Sequence, residues 1–273
     1  MRVMVFGGTG YIGNKLTEYF IAKGYVVANV SRGKSQVFGV INYDINGSID
    51  YIIDEFSPTS IIYLSAVFND KHIESMIWVN IQTPTKILSY ISGGGRDIDF
   101  IYVGSYWQLG DASVPGTPID LYSATKCAAY SIIDYYSAYS NVRCKRILLY
   151  GTYGPSDGRG KVLDYLIDSA IAGTTVELTE GYQKLNLVFI DDICSSIDKV
   201  LLCNEHLDFS IYSDKEYSLR EIVAYIKQYV RFDVVFGAKP YRKNELMDPI
   251  YTEACHSIII KDSLLKYIRK RLG

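Results

Sequence analysis

Tyr122 and Lys126 stand four residues apart in the run Tyr122-Ser123-Ala124-Thr125-Lys126. On a helix that spacing puts both side chains on one face. An ammonium beside a phenol favours the phenolate and lowers the tyrosine pKa, and a tyrosine so tuned can serve as a general acid or base near neutral pH. The chain carries 25 tyrosines, so the spacing also arises by chance, and a surface helix pair is the plain alternative. Upstream, Ser105 follows the apolar run at 100–104. A hydroxyl just past a buried strand can hydrogen-bond a carbonyl oxygen as charge develops on it, or can satisfy its own turn. The two features gain weight from their order along the chain, behind a glycine loop.

That loop is Gly7-Gly8-Thr9-Gly10-Tyr11-Ile12-Gly13, at the end of an apolar strand and the start of a helix. Glycines there let the backbone approach a pyrophosphate, and the helix N-terminus offers unpaired N–H groups and the positive end of its dipole. After the second strand, folds that prefer NAD carry an acidic residue for the ribose 2′-hydroxyl. This chain reads Asn29-Val30-Ser31-Arg32-Gly33-Lys34. With no carboxylate to repel a 2′-phosphate, Ser31, Arg32 and Lys34 can hold one, Arg32 in bidentate fashion. The expected cofactor is NADP(H).

The elements that must position these residues follow from hydrophobic periodicity. Short apolar runs at 2–6, 26–30, 39–43, 61–65, 100–103 and 146–150 read as parallel strands covered on both faces. Helical stretches fall at 14–22, 75–91 and 122–139, with Gly24 closing the first. The alternation predicts an α/β fold, a Rossmann-type doubly wound parallel sheet over residues 1–150. Beyond a Gly/Pro/Asp/Arg-rich loop at 151–161 the pattern changes. A helix at 162–172, a strand at 188–190, a helix at 193–203 and a strand at 207–212 follow, then helices at 218–230 and 261–272. Residues 151–186 and 216–273 are expected to form a smaller substrate-binding domain, with 187–215 returning to the first.

Composition narrows the function classes. Net charge is −2 with no basic run, which speaks against nucleic acid as a partner, and no apolar stretch reaches the ~20 residues that span a bilayer, so no membrane partner is expected. The five cysteines show no framework or C-x-x-C spacing, as free thiols of a cytoplasmic protein would. His72, His206 and His256 lie in no metal-binding spacing, so no metal is expected.

Together the loop, Ser105, Tyr122 and Lys126 resemble the extended short-chain dehydrogenases/reductases, the epimerase/dehydratase family, along nearly the whole chain. The resemblance implies catalytic roles for Ser105, Tyr122 and Lys126. It implies a cofactor site built from Gly7, Gly10, Tyr11, Ile12, Gly13, Asp44-Ile45, Leu64-Ser65-Ala66, Asn80 and Tyr150, together with Tyr122 and Lys126. It implies substrate contacts from Ser105, Tyr106, Trp107, Gln108, Thr152, Asn186 and Arg242, the last gripping a diphosphate. Tyr150-Gly151-Thr152-Tyr153-Gly154-Pro155 departs from the family where Gly151 replaces an asparagine. Asp191 and Asp192 read best as a helix cap. Tyr106 and Trp107 stand where dehydratases carry acids. That pattern, with Ser31-Arg32, is similar to reductases that make dideoxyhexoses. The implied activity is NADPH-dependent reduction of a CDP- or dTDP-linked 4-keto-6-deoxy- or 3,6-dideoxyhexose. An NAD-dependent 4-epimerase and a non-catalytic regulator are the alternatives. A homodimer is implied through the helices at 75–91 and 122–139, with Tyr130, Tyr135, Tyr136 and Tyr139 at the contact.

Overall fold

A computed structural model describes residues 1–68, 70–93, 96–111, 113–205 and 208–273. His206, and Leu207 at the expected start of the returning strand, lie outside the described residues. Strand and helix alternate through the first half: β1 (Arg2–Phe6), α1 (Tyr11–Ala22), β2 (Val26–Ser31), β3 (Ile41–Asp44), α2 (Ile49–Phe56), β4 (Ser60–Tyr63), α3 (Ile73–Ile77), α4 (Thr83–Ser92), β5 (Asp99–Ser105), α5 (Leu121–Tyr139) and β6 (Arg143–Leu149). There follow β7 (Gly151–Tyr153), α6 (Val162–Ala172), β8 (Val176–Glu177), β9 (Lys184–Phe189), α7 (Ile190–Leu202) and β10 (Asp208–Ser213). The chain ends with β11 (Glu216–Ser218), α8 (Leu219–Ile226), β12 (Val234–Val235), β13 (His256–Ile260) and α9 (Leu264–Leu272).

Side chains alternate across each strand, and here both faces are apolar. Met4, Phe6, Val30, Tyr63 and Tyr102 pack on one side with residues of α2, α4 and α5. Val3, Val5, Val27, Ile62 and Ile101 pack on the other with α1 and α7. The result is one parallel sheet of eight strands in the order β13-β10-β6-β5-β4-β1-β2-β3. The order reverses at β1, between β2 and β4, so a crevice opens above the carboxyl end of β1, where such sheets take ligands. A second core, centred on Leu166, Ile167, Ile222 and Ile226, joins α6, α8 and α9. It lies beside a three-stranded sheet in which β9 runs parallel to β7 and antiparallel to β11.

The departures from expectation have physical causes. Helix α1 starts at Tyr11 directly off the glycine loop, and β5 runs through Ser105 instead of stopping at residue 103. Helix α2 was not expected; Ile52, Ile53 and Phe56 bury one face of it, and Ser48 caps it by accepting from the Tyr51 N–H. Asp191 and Asp192 sit inside the first turn of α7, whose cap position is Phe189, so they interact with the helix dipole and do not cap. The C-terminal segment returns further than expected. Residues 256–260 add β13 to the large sheet beside β10; its three consecutive isoleucines stand directly before the expected helix at 261–272, and the strand is half-exposed.

Between α3 and α4 the helix widens into a π turn at Trp78–Gln82, a feature that often marks functional sites. Carbonyls of that turn are taken by buried hydroxyls: Thr83 donates to Trp78, Tyr63 to Val79 and Tyr102 to Asn80. The turn aims the Asn80 amide at the chain after β4. Asn80 accepts from the Val67 N–H at 2.9 Å and donates to the Val67 carbonyl at 2.8 Å and to the Thr125 hydroxyl at 2.9 Å. Asn80 is thus a fully buried tie between the β4 loop and α5. Buried partners left unsatisfied cost about 1–3 kcal/mol each, so Asn80→Ala is expected to lower the unfolding free energy by about 2–4 kcal/mol, measured by urea titration of the purified chain.

Candidate active site

Beyond β1 the backbone turns through Gly7, at φ +89°, and a β-carbon there would stand 2.9 Å from the Ser65 nitrogen. One on Gly13 would stand 2.1 Å from the Gly7 carbonyl oxygen. Only glycine lets α1 begin this close to the strand ends. The N-terminus of α1 has no side-chain cap and no acidic residue in its first turn, so its N–H groups face the crevice unpaired by the protein. A phosphate fits that arrangement.

The crevice is a cleft of about 1050 Å³, at the upper end of the ~300–1,000 Å³ typical of ligand pockets. Its walls include Gly7, Gly10, Tyr11, Ile12 and Gly13 from the loop, Ser31 and Arg32 after β2, Ile45 after β3, and Leu64, Ser65 and Ala66 after β4. Ser105, Tyr122, Lys126, Tyr150 and Thr152 line the same cleft. The structure therefore brings together most of the residues singled out from the sequence.

Others it places elsewhere. Lys34 is exposed and outside the cleft wall. The Asp44 carboxylate is turned back onto the Asn46 backbone and side chain. Asn80 reaches the cleft only through Val67. Gln108 is buried, and its Oε1 accepts from the Ser105 N–H at 2.8 Å, so it braces the serine. Tyr106 stacks on Tyr150 with ring centres 4.6 Å apart, facing that ring and not the cleft. Asn186 is spent on the Ser213 N–H and carbonyl and the Tyr251 hydroxyl. Arg242 forms a bidentate pair with Glu245 and lies over the Trp107 ring, so the pair fills the space above that indole.

Ser105 ends β5 and caps the short 3₁₀ turn at Tyr106–Leu109, its Oγ accepting from the Trp107 N–H at 3.3 Å. That leaves the hydroxyl proton for a ligand. Asp120 caps α5 by accepting from the Ser123 N–H, which sets Tyr122 in the first turn and Lys126 one turn on. Lys126 is fully buried. Its Nζ donates to the Val103 carbonyl at 3.0 Å and lies 4.5 Å from the Tyr102 ring centre and 5.9 Å from that of Tyr122.

The expected electrostatics are reversed. Burial, and secondarily Asp120, push the Tyr122 phenol up to about 12 instead of lowering it. Burial also depresses the Lys126 ammonium to about 7, and its hydrogen bond goes to a carbonyl rather than to the phenol.

Two cations were missed because they lie in a stretch that reads only as a loop. Arg159 pairs with the buried Asp157, donates to the Thr152 hydroxyl at 2.7 Å and covers the Tyr11 ring at 4.5 Å. Lys161 donates to the Thr152 hydroxyl and carbonyl, and burial depresses it to about 8. Both line the cleft. The glycine at 151 also has a cause: a β-carbon there would stand 2.6 Å from the Asn186 carbonyl oxygen.

The architecture has counterparts. Over its whole length the chain is 34% identical to CDP-abequose synthase of Yersinia pseudotuberculosis, of which 99% is covered. It is 25% identical to CDP-abequose synthase of Salmonella typhimurium, over 90% of this chain and 87% of that one. Among solved structures, UDP-glucose 4-epimerase of Thermotoga maritima with UDP-glucose superposes with a TM-score of 0.84 at 18% identity, covering 100% of this chain and 97% of that one. UDP-glucuronic acid 4-epimerase from Bacillus cereus, in complex with UDP-glucuronic acid and NAD, gives 0.83 at 15% identity, covering 100% and 98%. The model of the NAD dependent epimerase/dehydratase family matches residues 3–211, and the chain belongs to that family.

Proposed function

We propose that the chain is a nucleotide-sugar enzyme, an NADPH-dependent reductase of the 4-keto group of a 6-deoxy- or 3,6-dideoxyhexose carried on CDP or dTDP. The observation that carries this reading is one continuous cleft, which runs from Arg32, in a 29–34 segment without a carboxylate, along the glycine loop to Ser105, Tyr122 and Lys126. Support comes from the relatives named CDP-abequose synthase, one of them matched end to end. The family's oxidoreductase chemistry needs a nicotinamide cofactor. The glycine loop, the open N-terminus of α1 and the Leu64–Ala66 segment suit its pyrophosphate and ribose, and Arg32 suits a 2′-phosphate. When bound, the reduced cofactor supplies a hydride to the ketone carbon.

The chain's own residues handle the proton. Tyr122, kept protonated by burial, gives its proton to the C4 oxygen. Ser105, with a lone pair engaged by the Trp107 N–H, donates a hydrogen bond to the same oxygen. Lys126 in its cationic form stabilises the phenolate left behind. Lys161, and Arg159 beside its partner Asp157, offer the substrate's diphosphate cations in the cleft wall, whereas Arg242 is held by Glu245 outside that lining. In this reading the protein works in the cytoplasm as a homodimer. The exposed Tyr135 and Tyr139 on α5 suit a subunit contact, whereas Tyr130 packs on Tyr102 and under Arg146 within the chain. Among the described residues no helix is long and apolar enough to cross a membrane. A 4-epimerase is the second reading, favoured by a 24% identical relative named UDP-glucose 4-epimerase; NAD copurifying tightly with the protein would support it.

Tyr122→Phe is expected to cut NADPH oxidation on a CDP- or dTDP-linked 4-ketohexose by about 10²–10⁴-fold; wild-type rates in this variant would contradict the mechanism. Lys126 is cationic below about pH 7 and neutral above it, so kcat/KM for reduction should fall as pH rises through about 7. The Tyr122 phenol, up at about 12, adds no break in the neutral range. Lys126→Arg, charged throughout, should abolish the break near 7 in a pH profile measured beside wild type and leave a second fall near 8, where Lys161 loses its charge.

A further inference from the structure

Beneath the loop that carries Arg32 lies a buried amide bonded to Ser31 and Gly33 of the cleft wall and to Asn42 of β3. Asn29 is fully enclosed on β2. Its Oδ1 accepts from the Ser31 hydroxyl at 2.6 Å, and its Nδ2 donates to the Gly33 carbonyl at 3.2 Å and to Asn42 Oδ1 at 2.9 Å. Asn42, its register partner on β3, accepts the Ser35 N–H at 2.7 Å on that same oxygen and donates to the Val40 carbonyl at 3.3 Å. On its other side the amide meets the glycine loop: a β-carbon on Gly8 would stand 2.6 Å from Asn29 Oδ1. Both ends of the 31–35 segment therefore hang on this amide pair by hydrogen bonds, while the glycine loop only packs against it at Gly8.

Packing alone does not call for an amide here. The neighbouring β2 residues on the same face and the opposite one, Val27 and Val30, are buried aliphatics, and a buried amide is tolerated only because every bond is made. The bonds it makes govern what the loop presents. With the Ser31 proton directed to Asn29, Ser31 offers the cleft an acceptor, which suits a ribose hydroxyl and not a phosphate. Recognition of a phosphate then falls on Arg32, whose backbone is fixed by the Asn29 bond to the next residue's carbonyl.

We propose that Asn29, seconded by Asn42, is a positioning residue that sets the discrimination between a nucleotide with a 2′-phosphate and one with a 2′-hydroxyl. The proposal rests on the NADPH reading above and names the device beneath it. Removing the amide frees the Ser31–Ser35 loop, and Arg32 loses its fixed approach to the phosphate, while the pyrophosphate cradle, built on Gly7, Gly10 and Gly13, stays.

The test is equilibrium binding of NADPH and of NADH to the full chain, followed by coenzyme fluorescence, with the ratio of the NADH Kd to the NADPH Kd as readout. A general loss of structure weakens both coenzymes alike; the proposal requires the ratio to move. Asn29→Leu should weaken NADPH about tenfold and leave NADH within about twofold, and the Asn29→Leu/Asn42→Ala double variant should lose no more than Asn29→Leu alone, as members of one unit do. Asn42→Ala, on an edge strand, should lower the ratio by itself and decides the matter if Asn29→Leu does not fold. Wild type preferring NADPH, with that ratio unchanged in the variants, overturns the proposal and leaves the NADPH reading standing. Wild type preferring NADH overturns that reading and the proposal with it.

Discussion

No side chain fits where α1 leaves the sheet. The carbonyl of Gly7 and the α-carbon of Gly8 stand 2.1 and 2.8 Å from where a Gly13 β-carbon would be, and Ser65 closes on Gly7 from β4. This contact between the helix start and the ends of β1 and β4 determines the rest of the cleft. It opens the α1 N-terminus toward the switch point of the sheet, brings the Leu64–Ala66 segment under the loop, and sets the Gly8 backbone on the Asn29 amide. Asn80 then secures the β4 segment from below and α5 from the side, so the positions of Tyr122 and Lys126 depend on the same tie as the cofactor cradle.

The cleft stores electrostatic cost where the chemistry is expected. Lys126 is fully buried against a carbonyl and two aromatic rings, and its ammonium is depressed by desolvation with no carboxylate partner among the described residues. A lysine in that setting is expensive for the fold unless a bound ligand uses it. Tyr122 is displaced in the opposite direction by the same burial. Elsewhere the chain treats buried cations differently: Lys145, equally enclosed, is matched by Asp99 at 2.9 Å at the far end of the strands. The contrast between a neutralised lysine and an unmatched one separates structural burial from burial in the active cleft.

Much of this was legible in the sequence because its signals are local. A glycine loop behind an apolar strand, alternating strand and helix periodicity, and a Tyr and Lys one helical turn apart each occupy a short window, and the α6 bounds fell where periodicity put them. What was illegible depends on three-dimensional contacts, most of them distant in the chain. The pKa directions of Tyr122 and Lys126 follow from burial by β5 and its neighbours, not from their four-residue spacing. Arg242 reads as a free cation until Glu245, three residues on, is seen to hold it. Arg159 and Lys161 sit in a stretch whose composition signals only a loop, and their common acceptor, Thr152, ties them to the cleft wall. Asn29 reads as one polar residue in a strand; its partners Asn42 and Ser35 are brought to it by the β2–β3 register. Strand β13 carries three consecutive isoleucines, but its place at the edge of the large sheet follows only from its pairing with β10.

The central claim, net reduction at C4 of a nucleotide-linked ketosugar, is tested most directly by stoichiometry. The purified chain is incubated with NADPH and a CDP-linked 4-keto-6-deoxy- or 3,6-dideoxyhexose, and the coenzyme consumed is compared with the C4 alcohol formed, by NMR of the product. The account predicts one NADPH oxidised for each alcohol, in a single C4 configuration. Interconversion of C4 epimers of the corresponding alcohol with no net consumption of coenzyme would contradict it.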